Sequence, residues 1–145
     1  MLPELQKKLY EDFPSLYREK DKSIQESCMP WGFQCSAGWE PLIRKLSEML
    51  KRIEELTGHQ AVASQVKEKF GTLTFSHYII PPGDKVDDLV CGIIDACVSN
   101  AEYRSAVTCE VCGEYGHLRN DNHWLTTLCT KHYEEYRARR HPPLD

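Results

Sequence analysis

Apolar side chains recur every three or four residues in three stretches of the chain, and each stretch predicts an amphipathic helix. The clearest covers residues 39–57, where Trp39, Leu42, Ile43, Leu46, Met49, Leu50, Ile53 and Leu56 form one stripe among Lys, Arg and Glu. Pro41 suits its first turn and Gly58 its end. A second helix is predicted over about 84–105, with Val86, Leu89, Val90, Ile93, Ile94, Cys97 and Ala101 apolar. Asp84, Asp87 and Asp88 then sit at the positive end of its dipole. A short helix over about 3–13 carries Leu5, Leu9 and Phe13 and stops before Pro14. Between the two long helices the period changes to two. Residues 72–80 place Leu73, Phe75, His77 and Ile79 on one side, and residues 60–66 alternate more weakly. Lys67 to Gly71 reads as the polar turn of a hairpin over about 60–80. The expected fold is α+β, with two main helices packed on a β-hairpin. The 39–57 stripe faces that core or forms a homodimer seam; core packing is the expectation for a small domain.

The segment between the first two helices shows no period. Its Cys28 to Cys35 stretch, punctuated by Pro30 and Gly32, predicts an ordered loop, because its large and sulfur-bearing side chains are costly to leave in water. Trp31, Phe33 and Trp39 stand there with Gly32 and Gly38 between them. Such a group either lines a ligand pocket or partner surface, or plugs the end of the core. Cys28 and Cys35 read as buried small apolar residues, as do Cys91 and Cys97.

The chemistry concentrates near the C-terminus. Cys109-Glu-Val-Cys112-Gly113 is followed, after a stretch rich in hairpin signals, by Cys129-Thr-Lys-His132. Two pairs of soft ligands, each pair separated by two residues, suit one tetrahedral zinc ion. Gly113 permits the tight turn of a knuckle. His117 to Leu128 reads as a β-hairpin around Asn120-Asp121-Asn122, and Tyr133 to Arg140 as a helix. This order of knuckle, hairpin and ligand-bearing helix resembles the treble-clef class of zinc fingers. Four protein ligands, Cys109, Cys112, Cys129 and His132, leave no open position, so the expected Zn2+ is structural. His117 and His123 remain as alternatives for the fourth ligand. The chain thus divides into an α+β domain over 1–106 and a finger over 107–145.

Composition narrows the function. The 145 residues carry a net charge of −4, which argues against a protein whose main task is coating nucleic acid. Arg137, Arg139, Arg140 and His141 form the one basic cluster. It either contacts nucleic acid or a nucleotide, or complements the end of its own helix. No stretch approaches the length of apolar chain needed to span a membrane, so no membrane partner is expected. The charged N-terminal segment lacks the apolar centre of a secretory signal, and a cysteine cluster in a chain of seven cysteines reads first as metal ligands in a reducing setting, so the expected location is the cytoplasm.

Three segments, Gly32-Phe33-x-Cys35-x-x-Gly38-Trp39, Val66-Lys-Glu-Lys-Phe-Gly-Thr-Leu73 and the Cys109 to His132 finger, resemble a set of small uncharacterised proteins of bacteriophages and prophages. The resemblance implies a bacterial or phage origin and a bacterial host cytoplasm; it implies no activity. The leading expectation is a non-enzymatic, zinc-stabilised binding protein that engages a host or phage protein, interfering with host machinery or defence. A nucleic-acid or nucleotide binder using the basic helix and the aromatic loop is the alternative. A metal-dependent hydrolase built around His123 comes third, since it needs a second cation.

Overall fold

A computed structural model describes residues 1–140 and residue 142. Among these residues the fold is α+β, with four α-helices and two small sheets. In chain order the elements are α1 (Pro3–Asp12), β1 (Phe33–Gln34), α2 (Glu40–Thr57), β2 (Gln60–Lys69), β3 (Thr72–Ile80), α3 (Asp88–Ser105), β4 (His117–Asp121), β5 (Trp124–Leu128) and α4 (Thr130–Arg140). The first sheet runs β1-β2-β3, with β1 parallel and β3 antiparallel to β2. The second is the β4-β5 hairpin. No described helix is long and apolar enough to cross a membrane.

Local chemistry sets the boundaries. Gly58, at φ +75°, ends α2 by returning its N–H to the Glu54 carbonyl at 2.8 Å. The second long helix begins at Asp88, four residues later than the apolar period suggests. Asp87 is the cap: its Oδ1 accepts from the backbone N–H groups of Leu89 at 3.0 Å and Val90 at 3.3 Å. The hairpin turn is also tighter than expected. Phe70 (φ 53°) and Gly71 (φ 82°) alone make it, and Lys67 to Lys69 pair as strand with Thr74 to Thr72. Two consecutive left-handed residues match the natural twist of the flanking strands, which a five-residue polar turn does not. The Phe33–Gln34 strand lies where an irregular loop was expected. Two residues are too few for alternation to show, and only their pairing with Val66 and Lys67 defines them.

The core lies between α2, α3 and the first sheet. Leu42, Ile43, Leu46 and Leu50 of the α2 stripe are buried, while Met49 and Leu56 from the same stripe are exposed. α2 packs on α3 and β2, and α3 packs on β3. α1 and the following segment close the other side with Leu9, Phe13, Leu16 and Tyr17. Tyr17 meets Phe33 edge-on with ring centroids 5.0 Å apart. Its hydroxyl pairs with Ser47 Oγ at 2.6 Å, so no polar group of that pair is left bare in the core.

The aromatic loop does not form one surface. Phe33 and Trp39 are core residues, with Trp39 fully buried, and only Trp31 is exposed, at 61%. The indole and benzyl groups gain more by filling the end of the core than by facing water. Cys35 is buried, but Cys28 is exposed, and Cys91 and Cys97 are half-buried. All seven cysteines are free thiols.

One buried carboxylate is well provided for. Glu19 Oε1 accepts from Tyr78 Oη at 2.6 Å and Lys22 Nζ at 2.9 Å. Burial alone would raise its pKa; hydrogen bonds from Ser27, Tyr78 and Lys22 outweigh it, and the carboxyl lies below its ordinary value.

Candidate metal centre

Residues 109–113 turn sharply. Gly113, at φ +80°, donates its N–H to the Cys109 carbonyl at 2.8 Å, which brings the side chains of Cys109 and Cys112 to one side. Cys109 N–H reaches the Glu114 carbonyl at 2.7 Å and Gly116 N–H the Val107 carbonyl at 2.9 Å, closing the turn. The β4-β5 hairpin then reverses the chain. Its tip is Asn122-His123, both left-handed (φ 51° and 67°), with Asn120 Oδ1 accepting from His123 N–H at 2.9 Å. β5 leads directly into α4, whose first turn carries His132 beside Cys129.

These elements bring four ligand atoms together. The Sγ atoms of Cys109, Cys112 and Cys129 and one imidazole nitrogen of His132 lie within 4.8 Å of one another. His132 Nδ1 is 3.6 Å from Cys109 Sγ and 3.2 Å from Cys129 Sγ, and Cys112 Sγ is 3.9 Å from Cys129 Sγ. Such a group can hold one metal ion. Cys109 is buried, Cys129 and His132 are half-buried, and Cys112 is exposed. His117 and His123 stand outside the cluster: His117 packs edge-on against Tyr115 at 4.9 Å, and His123 occupies the hairpin tip.

The thiols are not equivalent. Burial would raise Cys109, but backbone N–H groups of Cys129, Cys112 and Val111 directed at its sulfur lower its pKa below the ordinary thiol value. For Cys112 the Glu114 N–H acts downward, yet burial and the adjoining Cys109 and Cys129 sulfurs hold the pKa above it.

The centre is pressed onto the main domain. Gly38 N–H donates to the Glu110 carbonyl at 2.7 Å and Ser36 N–H to Glu110 Oε1 at 2.9 Å. Trp39 Nε1 donates to the Thr108 carbonyl at 2.8 Å, and Thr127 Oγ1 to the Gly71 carbonyl at 2.6 Å. The approach is close enough that a Cβ on Gly38 would lie 2.3 Å from the Cys109 oxygen and 2.5 Å from the Glu110 oxygen. No local periodicity marks such contacts; sequence reasoning gave Ser36 and Thr127 no role in them and named Gly38 only within the aromatic loop. Their signal was limited to a glycine beside a large aromatic.

Compared with known proteins, the chain matches no family, no curated protein and no solved structure.

Arg137, Arg139 and Arg140 of α4 are exposed, but each is engaged. Arg137 lies over the Tyr133 ring at 5.9 Å and Arg140 over the Trp124 ring at 5.5 Å. Arg139 Nη2 is 3.9 Å from Glu135 Oε2. His141 lies outside the described residues. Beside the metal ligands a groove of about 630 Å³ runs between β5 and α4, lined by Trp124, Thr126, Tyr136, Arg139 and Arg140, with Glu110 and Ser36 at its border. Trp124, at 56% exposure, is an aromatic surface residue that sequence reasoning read only as part of a strand.

Proposed function

We propose that Cys109, Cys112, Cys129 and His132 bind one structural zinc ion in a treble-clef-like finger, and that the chain is a non-enzymatic binding protein. The observation that carries this reading is the closed set of four ligands. Zinc bonds of about 2.3 Å to sulfur and 2.0 Å to nitrogen put tetrahedral ligand atoms about 3.5–3.8 Å apart. Three of the six separations, 3.2, 3.6 and 3.9 Å, lie near that figure, and all six stay within 4.8 Å. Three thiolates and an imidazole favour zinc over hard, oxygen-seeking cations. With all four positions supplied by protein, no site remains for a bound water or substrate.

The partner follows from the resemblance to bacteriophage and prophage proteins, which supports a host or phage protein met in the bacterial cytoplasm. Cobalt substitution tests the closed site. The expected result is one ion per chain with a tetrahedral thiolate spectrum that azide and cyanide leave unchanged. A spectrum that shifts on adding either anion reveals an open position and overturns the structural assignment in favour of metal-centred chemistry.

A second reading is favoured by one observation: Trp124, Arg139 and Arg140 lie together along the groove. An exposed indole beside guanidinium groups suits a stacked base and its phosphate. This reading predicts binding of a single-stranded oligonucleotide that weakens with salt and on substituting Arg137, Arg139 and Arg140. Salt-independent or absent binding removes it. The hydrolase reading has less support, because among the described residues the Cys109 to His132 group alone brings together ligands for a metal, and His123 is not part of it.

A further inference from the structure

Among the described residues three buried side-chain polar atoms lack a hydrogen-bond partner: Nδ1 of His59, Nη2 of Arg119 and Oγ1 of Thr126. Two of the three belong to one pair. Arg119 of β4 stands directly opposite Thr126 of β5, so both side chains leave the same face of the hairpin, about 5 Å apart at Cβ. Arg119 is already held in place. Its Nε donates to the Leu128 carbonyl at 3.3 Å, and its guanidinium lies over the Tyr133 ring of α4 at 4.8 Å. Nη2 is left without an acceptor, and an unpaired donor on a buried cation costs more than one on a neutral group.

The pair adjoins a groove of matching chemistry. Thr126 lines the groove between β5 and α4, as do Trp124, Tyr136 and Arg140. The flat guanidinium of Arg140 lies over both rings, 5.5 Å from Trp124 and 5.4 Å from Tyr136, so this wall accepts a planar group. Arg119 Nη2 and Thr126 Oγ1 can donate to one acceptor, and a guanidinium pairs best with an oxyanion. Carboxylates narrow the choice. Glu110 and Glu135 line the same groove, and Asp121, itself engaged, follows Arg119 along the strand face. Successive phosphates of a strand would meet these carboxylates; a single phosphate held at Arg119 and Thr126 need not.

We infer that the groove binds a nucleoside monophosphate, its phosphate accepting from Arg119 Nη2 and Thr126 Oγ1 and its base stacked on Trp124. The inference rests on the reading of this groove as a base-and-phosphate site, and narrows the ligand from a strand to one nucleotide. Both donor atoms are covered, so the phosphate enters as a side chain at the groove moves aside. Arg140, exposed and held there by ring contacts and the Tyr136 hydroxyl, can do so.

Isothermal titration calorimetry of the metal-loaded chain with AMP tests it, a purine being chosen for its stacking area. AMP is expected to bind at least about 10-fold more tightly than adenosine or inorganic phosphate, each of which makes only part of the contacts. Thr126→Val removes a phosphate contact and an unpaired buried hydroxyl together. AMP affinity should then fall about 10-fold while thermal stability rises, a split that a purely structural threonine would not give. Arg119→Lys keeps the charge but loses Nη2, and should weaken AMP similarly at unchanged metal content. No heat with AMP at millimolar concentration overturns the inference. So does an AMP affinity that both variants leave unchanged, or inorganic phosphate binding as tightly as AMP. A single-stranded oligoadenylate separates the inference from the reading it rests on. Strand binding without AMP binding overturns the inference alone, and absence of both overturns both.

Discussion

Residues 1–106 and residues 107–140 meet along a tight seam but differ in how much they bury. α1, α2, α3 and the first sheet share a contiguous buried core that includes Trp39, Tyr17, Phe75, Met29 and Ile43. Beyond residue 106 the buried apolar side chains among the described residues are Cys109 and Leu128, with Thr127 buried beside them, and α4 buries none. A few residues of that kind, each worth about 1.5–3 kcal/mol, do not offset the ordering of some thirty, at about 1–2 kcal/mol of backbone entropy each. Residues 1–106 have the means to fold by burial; on the proposed reading, residues 107–140 depend on an ion and on the surface they dock against.

Removing the metal is the strongest way to break that comparison. Structural zinc contributes an apparent 10–16 kcal/mol or so to small fingers. Chelation, or Cys129→Ser, is therefore expected to abolish amide-signal dispersion over residues 107–140 while signals from α1 to α3 persist. Collapse of both sets together would show that the two regions share one source of stability. Gly38→Ala acts on the seam. Its Cβ meets backbone oxygens of Cys109 and Glu110 that cannot swing away, and the expected cost is about 3 kcal/mol in urea unfolding. Zinc content should stay at one per chain, since the new Cβ meets backbone oxygens and none of the four ligating atoms.

A probe on the other side of the comparison is Glu19. Its folded pKa lies below the ordinary 4.5, so its stabilisation is complete above that value and is lost as pH falls through the folded one. Glu19→Gln is expected to cost about 2 kcal/mol at neutral pH and to flatten the loss of stability below pH 4.5, without altering metal content. An acid limb as steep as that of wild type would count against the assignment. The smallest effect belongs to His123. Glycine relieves its left-handed backbone, which costs a non-glycine residue about 1–2 kcal/mol. His123→Gly is then expected to raise stability by about 0.5 kcal/mol after its own entropy cost. A loss of stability instead would give the imidazole a role at the tip.

Features with a local signature were legible in the sequence. The α2 stripe, the alternation of Leu73 and Phe75, and the paired spacings of Cys109, Cys112, Cys129 and His132 each repeat within one element, so a single chain reveals them. What stayed illegible depends on partners far along the chain. Phe33–Gln34 becomes a strand only through Val66 and Lys67. Phe33 and Trp39 suit either a surface or the end of the core as sequence, and it is the sheet and Thr108 that enclose them. The late start of α3 turned on which of three nearby aspartates provides the cap, and Asp87 does so because its carboxylate meets two free N–H groups.

The seam also sets an order of events during folding. Ser36 and Glu110, which it joins, are 74 positions apart, whereas Cys112 and Cys129 are separated by 17. Closing the longer loop costs more entropy and slows the contacts that depend on it. On the proposed reading, ion capture is thus the local, early step and docking the distant, later one. Metal supply would then govern how many chains dock, while the rate at which they do so would belong to residues 1–106.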